Sequence, residues 1–350
     1  MIRLNETATL WWDAEAGGIC YIDQTILPEH FKIVTCRSIG QLATAIRRLE
    51  IRGAPALGVA GAYGIALAAR ICEKIDLKDF FADVHRDADI LISTRPTAIN
   101  LEWGIARVLS KIEHLEDKES IRRIALDEAN AVAREDTACC HSIGEHGASL
   151  LPDVCTVLTH CNAGALACSS WGTALGVIRS AVMSGKKIRV IACETRPLLQ
   201  GSRLTAWELI RDGIDVTVIT DSSAAHLMRS GSISAVIVGA DRITRDAVFN
   251  KIGTYMLAVC ARFHNIPFYV AAPLSTFDTQ KEERDVVIEE RCREEVTTMG
   301  CRVFVPDGAA VKNYSFDATP LDLVTAIITD KGVLHPPVTI DSLLSLKSTK

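Results

Sequence analysis

The sequence has 350 residues, and because a single hydrophobic core seldom grows beyond about 250–300 residues, this length predicts two domains. Hydrophobic residues make up 48% and charged residues 23%, which excludes a mainly disordered chain, and 22 Gly with 11 Pro exclude a collagen-like one. The net charge of −5 excludes a strong basic field, so we expect neither nucleic acid nor a membrane surface as a partner.

Helical periodicity dominates residues 1–147, which we predict to form a smaller, mainly helical N-terminal domain. Short strand-like pieces at residues 7–12 and 31–34 come first. Apolar residues then recur at helical spacing in five segments, residues 39–49, 56–71, 77–93, 100–112 and 121–147. Pro152, which is disfavoured inside a helix, lies near the start of the next domain, and we place the boundary between residues 147 and 148.

Residues 148–350 alternate between strand-like and helix-like segments, which predicts a Rossmann-like domain with a parallel sheet. Runs rich in Val and Ile predict six strands, at residues 155–160, 188–193, 214–220, 235–239, 267–272 and 301–306. Helices are predicted at residues 171–183, 202–211, 224–229 and 252–263. The predicted fold class is therefore α/β, with a mostly helical domain followed by a parallel-sheet domain that is covered on both faces.

Two long segments, residues 53–69 and 154–178, carry no formal charge. The second is long enough for a membrane span, yet its Thr, Ser, Asn and Gly residues suit a strand, a turn and a buried helix better, so we expect neither segment to cross a membrane. The 12 cysteines include no C-x-x-C pair, and no basic region precedes an apolar run at the N-terminus. We therefore expect a cytoplasmic protein with mostly free, buried thiols.

Ligands of open parallel sheets bind beyond the carboxyl ends of the strands, and this rule selects five segments of the sequence. They are residues 160–164, 194–197, 221–223, 239–242 and 273–276, and four of them place an ionisable side chain where a strand stops. On position alone, Cys161 is either a catalytic thiol or a buried structural cysteine. Asp241 is either a functional carboxyl group, a helix cap or the ion-pair partner of a nearby arginine.

The sequence lacks the glycine loops G-x-G-x-x-G and G-x-x-x-x-G-K-[ST], so neither a dinucleotide nor a nucleoside triphosphate has its usual cradle. Residues 52–55, 95–97 and 250–254 lie at the starts of predicted helices and are weaker candidates for binding an anion, which we call phosphate grips. Together they predict a small phosphorylated ligand. Arg52 and Arg95 are alternatively plain surface ion pairs. The histidines match no H-x-x-x-H spacing, so we predict no metal and no cofactor.

Six strings along the chain are too specific for a generic α/β protein. They are Arg52-Gly-Ala-Pro-Ala-Leu-Gly, Arg95-Pro-Thr-Ala-Ile-Asn-Leu-Glu-Trp103, Thr159-His-Cys-Asn-Ala-Gly-Ala-Leu-Ala167, Glu194-Thr-Arg-Pro-Leu-Leu-Gln-Gly201, Gly239-Ala-Asp-Arg-Ile243 and Asn250-Lys-Ile-Gly-Thr254. In content and order they resemble the methylthioribose-1-phosphate isomerase family. The wider superfamily includes ribose-1,5-bisphosphate isomerases and the regulatory subunits of a translation-initiation guanine-nucleotide exchange factor.

The resemblance implies an aldose–ketose isomerase of methionine salvage that is homodimeric and needs no metal or nucleotide. Its reaction converts S-methyl-5-thio-α-D-ribose 1-phosphate to S-methyl-5-thio-D-ribulose 1-phosphate. By resemblance, Cys161 and Asp241 take the two catalytic positions. The substrate- and phosphate-binding positions fall to Arg52, Gly53, Ala54, Arg95, Gln200, Asn250 and Lys251.

The chemistry of that reaction suits both residue types. Because the C1 phosphate blocks opening to a free aldehyde, the enzyme must protonate the ring oxygen while hydrogen moves between C2 and C1. A carboxyl group in an apolar crevice can stay protonated and donate, which suits Asp241. A thiol with electropositive help can remove the C2 proton, which suits Cys161. The alternative mechanism is a direct hydride shift in which Cys161 positions the substrate or relays a proton.

Departures from the family pattern leave the 5-substituent of the substrate open. Ala163 stands where Thr is common, Cys193 replaces a usual acidic residue, and residues 244–249 form a shorter segment. Alternatives are therefore 5-deoxyribose 1-phosphate or ribose 1,5-bisphosphate as substrate, or a non-catalytic regulatory relative of the translation-factor subunits. A non-catalytic relative has no reason to keep the thiol and the acid together with every phosphate grip, so the full set favours the enzyme.

Overall fold

The computed structural model describes residues 8–95 and 98–337, which form two compact units. Among these residues, the first unit comprises those up to His141 together with Ala163–Gly176, and the second comprises Ser142–Asn162 and those from Val177 onward. The chain thus leaves the second unit for a short segment and returns to it. The predicted domain boundary between residues 147 and 148 stays a prediction.

The first unit combines a three-stranded antiparallel sheet with helices. The strands are β1 (Leu10–Asp13), β2 (Gly18–Ile22) and β3 (Ile33–Cys36), and the helices are α1 (Ile39–Arg47), α2 (Ala54–Ile71), α3 (Leu77–Ile92), α4 (Ile99–Ile112) and α5 (Lys118–Ala148), whose last turns enter the second unit. All five predicted helices are present. Strand β2 is an addition, since the five residues of this short run fell between the two predicted strands.

Helix α2 is the centre of this unit, and its Gly and Ala residues allow neighbouring backbones to approach closely. A Cβ atom on Gly104 of α4 would lie 2.0 Å from the backbone oxygen of Gly58 in α2, so α4 needs glycine at this crossing. Among the described residues, α2 is also the one helix whose length and composition would permit a membrane span. Of its 18-residue window 78% is buried, which is the pattern of a helix inside a protein core.

The second unit alternates strands and helices over most of its length. The elements around its main sheet are β4 (Val154–Thr159), α6 (Ala174–Met183), β5 (Lys187–Cys193), α7 (Ala206–Arg211), β6 (Val216–Ile219), α8 (Ala224–Arg229), β7 (Ala235–Val238), β8 (Arg242–Ile243), β9 (Ala247–Lys251), α9 (Thr254–Phe263) and β10 (Phe268–Ala271). There follow α10 (Glu294–Thr297), β11 (Thr298–Met299), β12 (Arg302–Val303), β13 (Phe316–Pro320), β14 (Ala326–Thr329) and β15 (Gly332–Leu334).

Seven strands form the main sheet, in the order β15-β14-β10-β7-β4-β5-β6. All neighbours are parallel except β15, which pairs antiparallel with β14. The chain starts in the middle at β4, winds outward to β6, and then returns to β7 to wind the other way. This is a doubly wound sheet whose direction of winding switches between β4 and β7. The predicted α/β fold class is confirmed.

The predicted strand at residues 301–306 is wrong. Only Arg302–Val303 is extended, and it pairs with Thr298–Met299 in a small antiparallel ribbon outside the main sheet. Val303 is 63% exposed, so the apolar composition of this run did not reflect burial. The sixth parallel strand is instead β14, whose four residues are all buried and whose shortness hid it in the sequence.

Candidate active site

The winding switch brings two of the predicted site residues to the same edge of the sheet. Leu158 of β4 lies opposite Val236 of β7, and the two strands run parallel. Cys161 follows the end of β4 by two residues, and Asp241 follows the end of β7 by three. The thiol and the carboxyl group therefore flank the point at which doubly wound sheets bind their ligands.

Cys161 has a backbone conformation that side chains rarely adopt. Its φ is 62°, in the left-handed region, and such strain is concentrated at functional sites. Two threonines hold it: the N–H of Cys161 donates to Oγ1 of Thr195 over 2.8 Å, and the hydroxyl of Thr205 donates to the Cys161 carbonyl over 2.6 Å. Cys161 itself is 8% exposed. The loop thus presents a buried thiol in a conformation that its surroundings enforce.

A buried charge network supports this loop through the next residue. The amide of Asn162 donates to Oε1 of Glu208 over 2.9 Å, and Arg179 donates to Oε2 of Glu208 over 2.8 Å and to Asp212 over 2.6 Å. Arg179 is 3% exposed and Glu208 fully buried. Because buried charges are costly unless paired and hydrogen-bonded, this network specifies one position for the loop.

The turn after β5 is fastened by the carboxylate of Asp221, which follows β6. Asp221 accepts the N–H of Thr195 and that of Arg196, both over 2.8 Å. Thr195 is buried with a φ of 67°, and its hydroxyl donates to the Cys193 carbonyl over 3.1 Å. Asp221 thereby fixes the threonine that holds the Cys161 N–H.

The side chains of His160 and Cys193 both lie close to the carboxylate of Asp221. Nε2 of His160 lies 2.8 Å from the Ile252 carbonyl, and Nδ1 lies 3.8 Å from Oδ1 of Asp221. Burial lowers the pKa of His160, which favours the neutral imidazole. Burial also raises the pKa of the Cys193 thiol to about 12, and the nearby carboxylates of Asp221 and Glu194 add to the effect. Both shifts favour the uncharged form of the group.

The hairpin β8–β9 follows Asp241 and carries two further predicted residues. The Asp241 N–H donates to the Phe249 carbonyl over 2.9 Å, which ties the acid to the hairpin. At the far end of β9, the amide of Asn250 donates to the hydroxyl of Thr254 over 3.1 Å. The ammonium group of Lys251 donates to the Ser315 carbonyl over 2.8 Å. Asn250 and Lys251 thus stand directly before helix α9.

Helix α9 begins close to the position that the sequence predicts, but sequence reasoning did not find the anionic side chain that pairs with its N-terminus. Gly253 caps the helix with a φ of 102°. The carboxylate of Asp317, on β13, accepts the N–H groups of Gly253 and Tyr255 over 2.7 and 3.1 Å. Burial raises the pKa of Asp317 to about 6. These two N–H groups already have an anionic partner from the chain, so a phosphate grip here has to rely on the side chains of Asn250 and Lys251.

The remaining predicted residues divide between the units. Gln200 is buried in the second unit, and its Oε1 makes no hydrogen bond to the described residues.

Gly53 has a φ of 97°, and a Cβ there would lie 2.4 Å from the Ala167 carbonyl oxygen, so only glycine fits before α2. Arg52 and Ala54 flank it in the first unit, where the partly buried Arg95 follows α3. Pro96 and Thr97 lie outside the described residues.

Sequence reasoning missed three side chains that hold the Cys161 loop: Arg179, Thr205 and Glu208. One signal was available, because Arg179 is the first charge after the uncharged run 154–178 and lies within the apolar helix α6. A lone charge in such a helix predicts a buried ion pair.

The strand order and these strand-end side chains define a doubly wound α/β protein with a thiol and a carboxyl group at the winding switch. Comparison with known proteins agrees. Residues 50–336 match the model of the Initiation factor 2 subunit family. The chain therefore belongs to the initiation factor 2 subunit family.

Within that family, the similar proteins bear two kinds of name. A relative from Roseiflexus sp. (strain RS-1), named methylthioribose-1-phosphate isomerase, is 49% identical over 94% of this chain and 95% of its own length. The crystal structure of 5-methylthioribose 1-phosphate isomerase from Pyrococcus horikoshii OT3 is 41% identical, with a TM-score of 0.90 over 98% of this chain and 96% of that one. A structure from A. fulgidus, titled translation initiation factor eIF-2B, subunit delta, is 55% identical, with a TM-score of 0.87 over 97% and 99% of the two chains. The predicted resemblance is confirmed.

Proposed function

We propose that the chain is an aldose–ketose isomerase that converts S-methyl-5-thio-α-D-ribose 1-phosphate to S-methyl-5-thio-D-ribulose 1-phosphate, a step of methionine salvage. The observation that carries the proposal is the strained, buried Cys161 directly after β4, with Asp241 after the adjacent β7. Relatives that share about half of its residues over nearly the whole chain bear this enzyme's name, which supports the same reaction.

In the proposed reaction, Asp241 donates a proton to the ring oxygen as the bond from C1 to that oxygen breaks. Cys161 removes the proton from C2, so that an enol phosphate forms between C2 and C1. A proton is then returned to C1 and the C2 hydroxyl loses its own, which leaves the ketose with its phosphate intact. The chemistry consumes no oxidant and no cofactor.

Substrate binding is assigned to seven residues: Arg52, Gly53, Ala54, Arg95, Gln200, Asn250 and Lys251. The arginines and the lysine supply positive charge for the phosphate. Gln200 brings a buried carbonyl oxygen that makes no hydrogen bond to the described residues, which suits a sugar hydroxyl as its donor. The protein is proposed to be a cytoplasmic homodimer with a Rossmann-like second domain, and to bind neither nucleic acid nor membrane.

A second candidate function is that of a non-catalytic regulatory subunit, and one observation favours it. The A. fulgidus structure, 55% identical to this chain, is titled as a subunit of a translation initiation factor. A measurement of turnover distinguishes the two candidates, because a non-catalytic regulatory subunit converts no substrate and requires no thiol at the winding switch.

The test is turnover of methylthioribose 1-phosphate by the purified protein, with 5-deoxyribose 1-phosphate and ribose 1,5-bisphosphate as competing substrates. Cys161→Ser and Asp241→Asn are expected to lose at least about a hundredfold in kcat. Cys155→Ser, at the opposite end of β4, is the matched control for a buried thiol and is expected to keep full activity. Absence of turnover in the wild type contradicts the proposed substrate, and unchanged activity in both site variants contradicts the assigned residues.

A labelling experiment distinguishes the two mechanisms for the hydrogen transfer. Proton abstraction by Cys161 predicts that deuterium from D2O appears at C1 of the product, because the thiol exchanges its proton with solvent. A direct hydride shift predicts no deuterium at C1. Complete absence of label would therefore leave Cys161 with a positioning or relay role and remove its role as the base.

A further inference from the structure

Three side chains that could each act as a metal ligand lie together at the carboxyl ends of neighbouring strands. His160 follows β4, Cys193 ends β5, and Asp221 follows β6. Nδ1 of His160, Sγ of Cys193 and a carboxylate oxygen of Asp221 all lie within 4.8 Å of one another. Their positions in the sequence form no metal-binding motif, so only the fold brings them together.

The imidazole of His160 is oriented toward this cluster. Because the Ile252 carbonyl can only accept, Nε2 carries the ring proton and Nδ1 presents a lone pair. Nδ1 is fully buried, makes no hydrogen bond to the described residues, and lies 3.8 Å from Oδ1 of Asp221. A buried acceptor without a donor is costly, and a cation between this lone pair and the carboxylate would remove that cost. Histidines that bind metals commonly donate their other ring N–H to a backbone carbonyl in this way.

One nitrogen, one sulfur and one carboxylate oxygen are the ligands that zinc prefers. Tetrahedral zinc holds a nitrogen and an oxygen ligand about 3.3–3.5 Å apart, so the 3.8 Å between Nδ1 and Oδ1 would shorten by a few tenths of an ångström on binding. The carboxylate of Asp221 accepts one backbone N–H on each oxygen, which leaves further lone pairs for a metal. We propose that His160, Cys193 and Asp221 form a zinc-binding site with a fourth position open to water.

Zinc binding at this site affects the Cys161 loop. The Cys193 thiol gives its proton to solvent when the sulfur coordinates the metal. Asp221 then shares its charge between the metal and the N–H of Thr195, the residue whose hydroxyl holds the N–H of Cys161. We therefore expect zinc to act as an inhibitor of turnover. This consequence rests on the proposed isomerase function, whereas metal binding itself does not.

The test measures metal binding to the purified full-length protein without any substrate. Zn²⁺ is titrated in competition with a chromophoric chelator, and Co²⁺ is titrated to detect the absorption band of a thiolate–cobalt bond. The wild type is expected to bind one ion per chain with a thiolate band. Cys193→Ala is expected to bind at least tenfold more weakly and to lose the band, and Asp221→Asn to bind more weakly with the band retained.

Two variants control for other cysteines. Cys161→Ser removes the thiol next to His160 in the sequence, and Cys140→Ser removes a buried thiol from the second cluster of ligand atoms, Asp136, Cys140 and Cys168. Both are expected to bind zinc like the wild type. Should Cys193→Ala fail to fold, Cys193→Ser keeps the volume of the side chain and removes the soft ligand. Absence of binding in the wild type, or equal losses in the Cys193 and Cys140 variants, would overturn the proposal and leave the isomerase assignment untouched.

Discussion

Replacing Glu208 with Gln keeps the volume of the side chain and removes one charge from the network that supports the Cys161 loop. Two donors converge on this carboxylate, the amide of Asn162 at 2.9 Å and the guanidinium of Arg179 at 2.8 Å. Gln offers one acceptor oxygen and one NH2 group, so one of the two donors must face another donor. The substitution therefore breaks one buried hydrogen bond whichever way the amide is turned.

The expected cost follows from the partners that remain. A buried hydrogen bond to a charged group contributes about 1.5–3 kcal/mol, and removing one partner of a buried ion pair costs about 3–5 kcal/mol. The charged guanidinium of Arg179 attracts the amide oxygen of the new side chain and also keeps Asp212, at 2.6 Å, so Asn162 is the donor that loses its bond and the lower part of this range applies. We expect Glu208→Gln to lower the free energy of unfolding by about 2–3 kcal/mol. We also expect kcat to fall by at least about tenfold, because Asn162 no longer fixes the loop that carries Cys161.

The assay is urea denaturation at pH 7 together with steady-state turnover, and Asp215→Asn is the matched control. Asp215 also pairs with an arginine, Arg189, over 3.2 Å, but both side chains are about two-thirds exposed. An exposed pair contributes about 0–1 kcal/mol, so the control should be close to the wild type in stability and in turnover. Equal stability of the two variants would refute the reasoning about burial. A stability loss in Glu208→Gln with unchanged kcat would refute the positioning of Cys161.

Three further predictions concern other parts of the chain. Burial raises the pKa of Asp317 from 3.8 to about 6, so the folded protein binds this proton more tightly than the unfolded chain does. Stability should fall by at most about 3 kcal/mol as the pH rises from about 4 to about 6, and Asp317→Asn should remove that dependence in denaturation curves recorded across this range. Gly40→Ala, at an open helical position, should raise the melting temperature by stabilising α1 by about 0.5–1 kcal/mol, whereas Gly104→Ala should lower it because its Cβ would meet the backbone of α2. Among the 12 thiols, the exposed Cys292 and Cys301 should react first with a thiol reagent, and replacing both should abolish the fast phase of labelling.

Much of the fold followed from the sequence because its signals are local. Helical periodicity located α1 to α5, and short apolar runs located the parallel strands β4, β5, β6, β7 and β10, but not the hairpin β8–β9. The strand prediction at residues 301–306 was wrong because apolar composition indicates only a tendency to be buried. Whether a segment is buried depends on which other segments of the chain pack against it. β14 is central to the sheet with four residues, and its place between β10 and β15 is a matter of long-range pairing.

The same distinction explains which parts of the candidate site could be found. The rule for strand ends needs only the positions of the strands along the chain, so it selects the segments that contain Cys161 and Asp241, whereas their assignment as the catalytic pair came from the family resemblance and stays a prediction. It could not find Thr205 and Glu208, which lie in the helical segment after β5 and reach Cys161 and Asn162 across more than 40 residues of sequence. Their hydroxyl and carboxylate groups look like ordinary helix residues until the fold buries them.

The start of α9 shows where reasoning from local sequence reaches its limit. A helix N-terminus carries unpaired N–H groups and a partial positive charge, and both attract an anion. The sequence located that terminus correctly. The positive charge of the terminus predicts that its partner is an anion, but it does not predict whether that anion is a bound ligand or a carboxylate of the chain. Asp317 fulfils the requirement from a strand 64 residues away, at the energetic cost that its raised pKa reflects. Because the chain's own carboxylate already satisfies Gly253 and Tyr255, a phosphate bound nearby gains most from Lys251 and least from the helix dipole. Lys251→Met should therefore weaken phosphate binding far more than Asp317→Asn does, as measured by competition of inorganic phosphate with the substrate. The reverse order would mean that the helix terminus, and not the lysine, is the anion site.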